Sequence, residues 1–232
     1  MSGAALDDDI AHNLSTVRRR LEAATHGSGR DPRLIAVSKT FPVEAVVSAA
    51  RVGQRDFGEN RVQEGLDKIA ATASLGLTWH LIGHLQRNKD RQATAVFELI
   101  HSVDSLRLAQ EIDRRAAEVG GNQQILVQVN LSHETTKFGV AEGELPALLD
   151  GIVEMPSLRL RGLMTIPPPA ESPEDSRRWF AGMRELQSGW STRLGIPLTE
   201  LSMGMTDDFE VAVEEGATLV RVGRAIFGER QG

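Results

Sequence analysis

Lys39 ends the first strongly apolar run of the chain: LIAVSKT, residues 34–40, sets four apolar residues and a serine ahead of a primary amine. A buried strand leaving its core should end in something small or cheap to hydrate. An ammonium held there is partly desolvated, and a second cation beside it, such as Arg221, would lower its pKa further and enrich the neutral amine, a nucleophile for aldehydes. Far along the chain, LSMGMTDD (201–208) and VRVGRAIFG (220–228) each place a glycine just past an apolar run and before a helical stretch. Backbone N–H groups point outward at such junctions and favour an anion. Ser202 offers a hydroxyl there, and Gly223 and Arg224 offer main-chain donors. Each signal has a plainer reading in isolation: Lys39 as a snorkelling side chain or a partner of Glu59, the glycines as ordinary turn residues.

These residues meet only if the fold gathers them. From residue 34 onward, short apolar runs alternate with longer amphipathic stretches: 34–38, 56–59, 79–83, 99–103, 124–130, 158–166, 200–204 and 218–222. Several are nearly continuous in apolar residues, as parallel strands covered on both faces should be. Helices are expected at 43–52, 61–73, 105–119, 142–151 and 174–194, several opening on an Asp, Ser or Pro. Ahead of them Leu6, Ile10, Leu14, Val17 and Leu21 form one apolar stripe, predicting an extra N-terminal helix over about 6–25. Eight strand–helix pairs in α/β order predict a closed (β/α)8 TIM barrel over about 33–230, within one unit spanning 1–232. A seven-strand open sheet is the alternative if the short second or fourth run fails. The loop IPPPAESPED (166–175) follows the sixth strand, as a rim or lid element or as an inert connection.

In a barrel the C-terminal strand ends form one ring around one pocket. Lys39, Glu59 and Asn60, His84, Asp104, Asn130, Thr165, Ser202 and Arg221 all fall at those ends. An amine on one side of the ring and an anion cradle between the last two loops, where barrels often hold phosphate, fit a ligand with an aldehyde and a phosphate. Pyridoxal 5′-phosphate (PLP) has both, with Lys39 as its Schiff-base partner.

Composition narrows the alternatives. Cysteine is absent, which excludes disulfides, thiol catalysis and cysteine–zinc sites and suits a reducing compartment. The sequence shows neither a signal-peptide pattern nor an apolar run of membrane-spanning length, so a soluble, cytoplasmic protein without a membrane partner is expected. With 26 basic and 32 acidic residues, net −6, no nucleic-acid partner is expected either. The triplet Arg18-Arg19-Arg20 reads as a solvated helix face. His80 and His84 suggest a metal pair, but strand residues four apart lie about 13 Å from one another; hydrogen-bonded barrel histidines are the expectation. A phosphate-binding sugar isomerase would explain the last two loops and leave Lys39 unexplained. His133 lies in a polar segment past the fifth strand, and Asp207-Asp208 sits at a predicted helix start, where capping is the default.

The segments LIAVSKTFP, FGENRVQE (57–64), WHLIGHLQRNK (79–89), VDS (103–105), QVN (128–130), TKFG (136–139), GLMTI (162–166), LSMGM (201–205) and RVGRAIFG (221–228) resemble, in order and spacing, the pyridoxal phosphate homeostasis proteins, which look like the barrel half of alanine racemase. The resemblance covers most of residues 30–230. It implies a fold-type III barrel carrying PLP on Lys39, with Asn60 and Thr206 at the site, the phosphate near Ser202, Gly223 and Arg224, and Arg221 facing the pyridine nitrogen. Two positions depart from the family pattern: Arg61 stands where many members carry Tyr, and Thr206 where Ser is usual and a hydroxyl is kept.

A racemase of the alanine type uses a lysine and a tyrosine on opposite faces of its substrate, with a second domain completing the site. This sequence contains no tyrosine, and its eighth run ends at residue 222 of 232, so no second domain is expected. Arginine at the pyridine nitrogen has donors only and keeps that nitrogen unprotonated, a weak electron sink. The expectation is a monomeric, non-catalytic carrier that buffers PLP or passes it to apo-enzymes, with slow one-base racemisation by Lys39 as the alternative.

Overall fold

The computed structural model describes residues 3–26, 29–85, 93–94, 96–132 and 138–229. Eight parallel strands form its centre: β1 (Arg33–Val37), β2 (Asp56–Glu59), β3 (Thr78–Leu81), β4 (Leu99–Val103), β5 (Gln123–Asn130), β6 (Leu158–Met164), β7 (Glu200–Ser202) and β8 (Leu219–Val222). Each pairs with its neighbours in chain order, β4 pairs with β5, and β8 returns to β1, so the sheet closes into a (β/α)8 barrel. Closure disposes of the open-sheet alternative. The two short runs, 56–59 and 99–103, are strands with the expected bounds. A two-residue strand, Val140–Ala141, adds to the end of β5 outside the ring; it is too short for periodicity to reveal.

Helices cover the outside: α1 (Gly3–Thr25), α2 (Val43–Arg51), α3 (Val62–Ala71), α4 (Leu106–Glu118), α5 (Leu145–Val153), α6 (Arg177–Leu194), α7 (Phe209–Glu214) and α8 (Arg224–Phe227). Boundaries shift where local chemistry intervenes. The stretch expected as helix 61–73 stops at Ala71 and continues as a 3₁₀ turn to Leu75, ended by Gly76 at φ 60°. The stretch 174–194 begins with a separate 3₁₀ turn, Pro173–Ser176, closed by a Ser172–Asp175 capping box. Ser105 caps α4 by accepting from the Leu108 N–H at 3.4 Å. Asp208 occupies the position before α7, but its carboxylate accepts from the Met205 N–H at 2.7 Å and closes the preceding turn, so the expected helix cap is a turn lock.

The α1 stripe is real: Ile10, Leu14, Val17 and Leu21 are buried, and the helix packs on α2, α7 and α8. Its basic triplet partly ties the helix down. Arg18 donates to the Val52 carbonyl at 2.9 Å, and Arg20 pairs with Glu210 at 2.6 Å while lying over the Phe209 ring. Among the described residues, no helix is long and apolar enough to cross a membrane.

Inside the ring, strand periodicity sets which side chains climb toward the mouth. Ile35, Leu99, Leu126, Met164 and Leu219 form an apolar plug contributed only by strands. Two residues further on come Val37, His101, Gln128 and Arg221 on the same strands, and Ile166 just past the end of β6. The plug is therefore overlaid by a layer rich in polar groups.

Candidate functional site

The C-terminal mouth of the barrel holds a cavity of about 330 Å³. Its wall takes Val37 and Lys39 from the end of β1, Asn60 after β2, Ile82, Gly83 and His84 after β3, and Gln128 from β5. Phe138, Ile166, Met205, Thr206, Arg221, Gly223 and Arg224 complete it. Of the residues singled out from the sequence, Lys39, Asn60, Thr206, Arg221, Gly223 and Arg224 thus share one cavity. Ser202 is fully buried and lies outside its lining.

Lys39 is half-buried in the turn that leaves β1. That turn is clamped from below. Lys68 of α3, itself buried, donates to the Ser38 carbonyl, to Glu59 Oε1 and to Glu64 Oε1, each at 2.7 Å. Ser38 Oγ donates to Glu59 at 2.7 Å, and the Thr40 N–H donates to Glu64 at 2.6 Å. Both neighbours of Lys39 are therefore bonded to one ionic cluster. Thr40 pays with a left-handed backbone, φ 68°, unusual for a β-branched residue. Burial pushes the Glu59 carboxyl above its ordinary range, against the opposing pull of Lys68 and Ser38. Glu59, proposed from the sequence as a partner for Lys39, is engaged by Lys68.

Arg221 is buried, and desolvation lowers its pKa to about 10, with Asp208 acting the other way. It remains a cation at neutral pH. Its Nη1 donates to Ser202 Oγ at 2.5 Å and its Nη2 to the Thr165 carbonyl at 2.9 Å. Ser202 Oγ also lies 2.9 Å from His101 Nδ1.

The loops after β7 and β8 face each other. Gly204 takes φ +88°, and a Cβ there would stand 2.6 Å from the Ala212 Cβ. At Gly223 a Cβ would come within 3.2 Å of the Val37 carbonyl oxygen. Arg224 pairs with Asp207 across the two loops. Glycine is thus required by close approach at Gly204 and favoured by it at Gly223.

His84 stacks on Phe138 at 4.3 Å between ring centroids at the cavity mouth, with Asp104 3.8 Å from it. His80 turns inward and bonds to His101 and Asp56. The two histidines serve different layers, and no metal-holding group is found among the described residues. From the 166–175 loop, Ile166 reaches the cavity; Pro168 to Glu171 line a separate outer hollow with Arg178 and Trp179. Residues 86–89 of GHLQRNK, 136–137 of TKFG, and His133 lie outside the described residues.

Sequence reasoning missed Lys68, His101, Gln128 and Phe138. Two carried a signal: His101 interrupts the apolar run LIHSV, and Lys68 lies on the same helical stripe as Val62 and Gly65.

A closed parallel barrel with a lysine after its first strand, a buried arginine on its last and two opposed glycine loops defines the alanine-racemase type of barrel. Residues 7–231 match the family described as alanine racemase, N-terminal domain. Alanine racemase of Clostridium difficile shares the fold, with a TM-score of 0.73 at 14% identity over 97% of this chain and 57% of that one.

Within that class the chain belongs to the pyridoxal phosphate homeostasis protein family. The Pseudomonas aeruginosa protein of that name is 45% identical over 224 residues, covering 95% of this chain and 96% of the relative. The Aquifex aeolicus protein is 44% identical over 226 residues, covering 96% and 99%. The structure of PipY from Synechococcus elongatus with PLP bound has a TM-score of 0.85 at 41% identity, covering 94% of this chain and all of that one.

Proposed function

We propose that this protein binds PLP at the barrel mouth through a Schiff base on Lys39 and serves intracellular PLP homeostasis, buffering the cofactor or delivering it to apo-enzymes, without robust catalysis. The observation that carries the reading is the convergence of Lys39, Arg221 and the two glycine loops on one cavity of about 330 Å³. That volume sits at the small end of the roughly 300–1,000 Å³ typical of ligand pockets.

The residues present fit the group. Lys39 supplies the amine for the aldehyde. Thr206, the backbone of Gly223 and Arg224, and the Arg224 side chain supply donors for the phosphate; the first N–H groups of a helix such as α8 have no partner within it. Arg221 would meet the pyridine nitrogen with donors only, and Asn60 lines the same cavity as Lys39. When bound, PLP supplies an electron sink for carbanions. An arginine at the ring nitrogen weakens that sink, and the 232 residues include no tyrosine to act as a second base. This supports a carrier over a racemase. The homeostasis family to which the chain belongs and the PLP-bound relative support the cofactor assignment. A cytoplasmic, monomeric protein completes the proposal.

The test is absorbance of the purified protein, borohydride reduction and peptide mapping. Wild type is expected to be yellow and labelled at Lys39, and Lys39→Ala to lose the Schiff-base band. Reductive trapping that leaves Lys39 unlabelled in excess PLP overturns the binding mode. Racemase turnover of about 1 s⁻¹ or faster, ordinary for an enzyme, overturns the carrier assignment.

A further inference from the structure

A line of hydrogen bonds, buried except at its Asp56 end, runs through the barrel from its mouth to its foot. Arg221 Nη1 donates to Ser202 Oγ at 2.5 Å, and Ser202 Oγ lies 2.9 Å from His101 Nδ1. His101 Nε2 lies 3.1 Å from His80 Nδ1, and His80 Nε2 lies 3.1 Å from Asp56 Oδ1. Ser202, His101 and His80 are fully buried, and Arg221 nearly so. Asp56 is the first residue of β2, at the end of the barrel opposite the cavity, where Arg33 stands 3.8 Å from it. None of the three middle residues lines the cavity. Five polar side chains from β2, β3, β4, β7 and β8 have thus been threaded through a space that apolar residues could fill. Burying them is costly unless every donor meets an acceptor.

For rings that carry one proton each, the chemistry of the groups fixes which way the protons point. An ionised carboxylate only accepts, so His80 carries its proton on Nε2. With one proton per ring, His80 Nδ1 is then an acceptor, and His101 must donate from Nε2. His101 Nδ1 accepts in turn, and the donor it meets is the Ser202 hydroxyl. The lone pairs of Ser202 remain for Arg221, which has donors only. Every bond runs in the same sense, from Arg221 to Asp56, with no donor facing a donor. Reversing any one link would point the Ser202 hydrogen away from His101, or a second N–H at its oxygen.

We propose that Asp56 is a positioning residue for Arg221: through His80, His101 and Ser202 it imposes one direction of hydrogen-bond donation, so that Ser202 offers Arg221 only lone pairs and holds the guanidinium oriented toward a ring-nitrogen acceptor in the cavity. The half of this that concerns the ring nitrogen rests on the PLP reading; the direction of the chain does not. A carboxylate that fixes a histidine tautomer and ring orientation at a distance is the same device that catalytic triads and metal sites use. Here two histidines and a serine extend it across the barrel. In the orientation it enforces, the Ser202 lone pairs, the negative end of the hydroxyl dipole, face the Arg221 guanidinium.

Imidazole ¹⁵N spectra of the apo protein test the direction directly. Both His80 and His101 are expected as the neutral tautomer protonated on Nε2. Asp56→Asn keeps the shape but offers an N–H to His80 as readily as an oxygen, and should add a population protonated on Nδ1 at both rings. With ring-¹⁵N-labelled PLP bound, the pyridine nitrogen resonance should move toward the value of an unbonded pyridine in Asp56→Asn. It should move the same way in Ser202→Ala, which cuts the chain at its other end and keeps the test open if one variant fails to fold. Wild-type rings protonated on Nδ1, or on both nitrogens, overturn the proposal. So does a PLP nitrogen resonance that stays at the wild-type position in the variants. A wild type that takes up no PLP refutes the reading of the cavity instead, and the histidine tautomers then decide the chain by themselves.

Discussion

Lys68 Nζ lies 2.7 Å from Glu59 Oε1, and the pair is buried beside the turn that presents Lys39. The same ammonium holds the Ser38 carbonyl, while Glu64, its other partner, holds the Thr40 N–H. One lysine is therefore used to aim another. Removing one partner of a buried ion pair leaves an uncompensated charge, which typically costs about 3–5 kcal/mol. Lys68→Met should lower stability by about that amount in urea denaturation, and adding Glu59→Gln should recover a good part of it.

The pH dependence of the Lys68→Met variant follows from Glu59. Burial already raises the Glu59 pKa in the folded protein, and Lys68 works against the rise. For an acid whose folded pKa exceeds its unfolded one, the contribution to stability is full below the unfolded pKa and is lost as pH rises through the folded pKa. Without Lys68 the folded value climbs further, so the loss is larger. The stability deficit of Lys68→Met relative to wild type should therefore shrink in acid, as measured by urea midpoints from neutral pH down to about pH 4.

His101 predicts a slope of the opposite sign. Burial, His80, Arg221 and Arg33 hold its pKa well below 6.5. The unfolded chain then binds a proton that the folded protein does not, and stability falls as pH drops below about 6.5. The steepest contribution of one such group is about 1.4 kcal/mol per pH unit. Denaturant midpoints between pH 7 and pH 5 should fall less steeply in His101→Leu than in wild type.

Gly204 tests the loop that carries Thr206. Its φ of +88° and the 2.6 Å approach of a would-be Cβ to the Ala212 Cβ leave no room for alanine. A left-handed backbone and overpacking together cost about 2–5 kcal/mol. Gly204→Ala should show that loss on thermal unfolding, with weaker PLP binding in the folded fraction.

Thr206→Val removes one hydroxyl donor at nearly constant volume. A hydrogen bond to a charged group contributes about 1.5–3 kcal/mol, so PLP affinity should fall by roughly tenfold or more in a fluorescence titration. Affinity equal to wild type would place the phosphate elsewhere.

Much of this was legible in the chain alone. The continuous apolar runs gave seven or eight parallel strands because a strand covered on both faces has no polar side to show. The glycines after β7 and β8 and the lysine after β1 stood out because their residue types are wrong for a mere strand end. The spacing 10, 14, 17, 21 gave α1 its buried face. These are local properties, written within a few residues.

What only the tertiary structure decided is which of those polar residues meet. Closure of β4 onto β5 makes eight strand ends one ring, and the β1–β8 register sets Arg221 beside Ile35 of the plug and two residues beyond Leu219, toward the mouth. That register places Arg221 at the cavity, Ser202 out of its lining, and His101 and His80 in line toward Asp56. Lys68, marked in the sequence only by its place on the stripe of Val62 and Gly65, becomes a buried clamp because α3 lies against the β1 turn. Periodicity tells which face a residue takes; only the joining of strands and helices distant in sequence decides what that face touches.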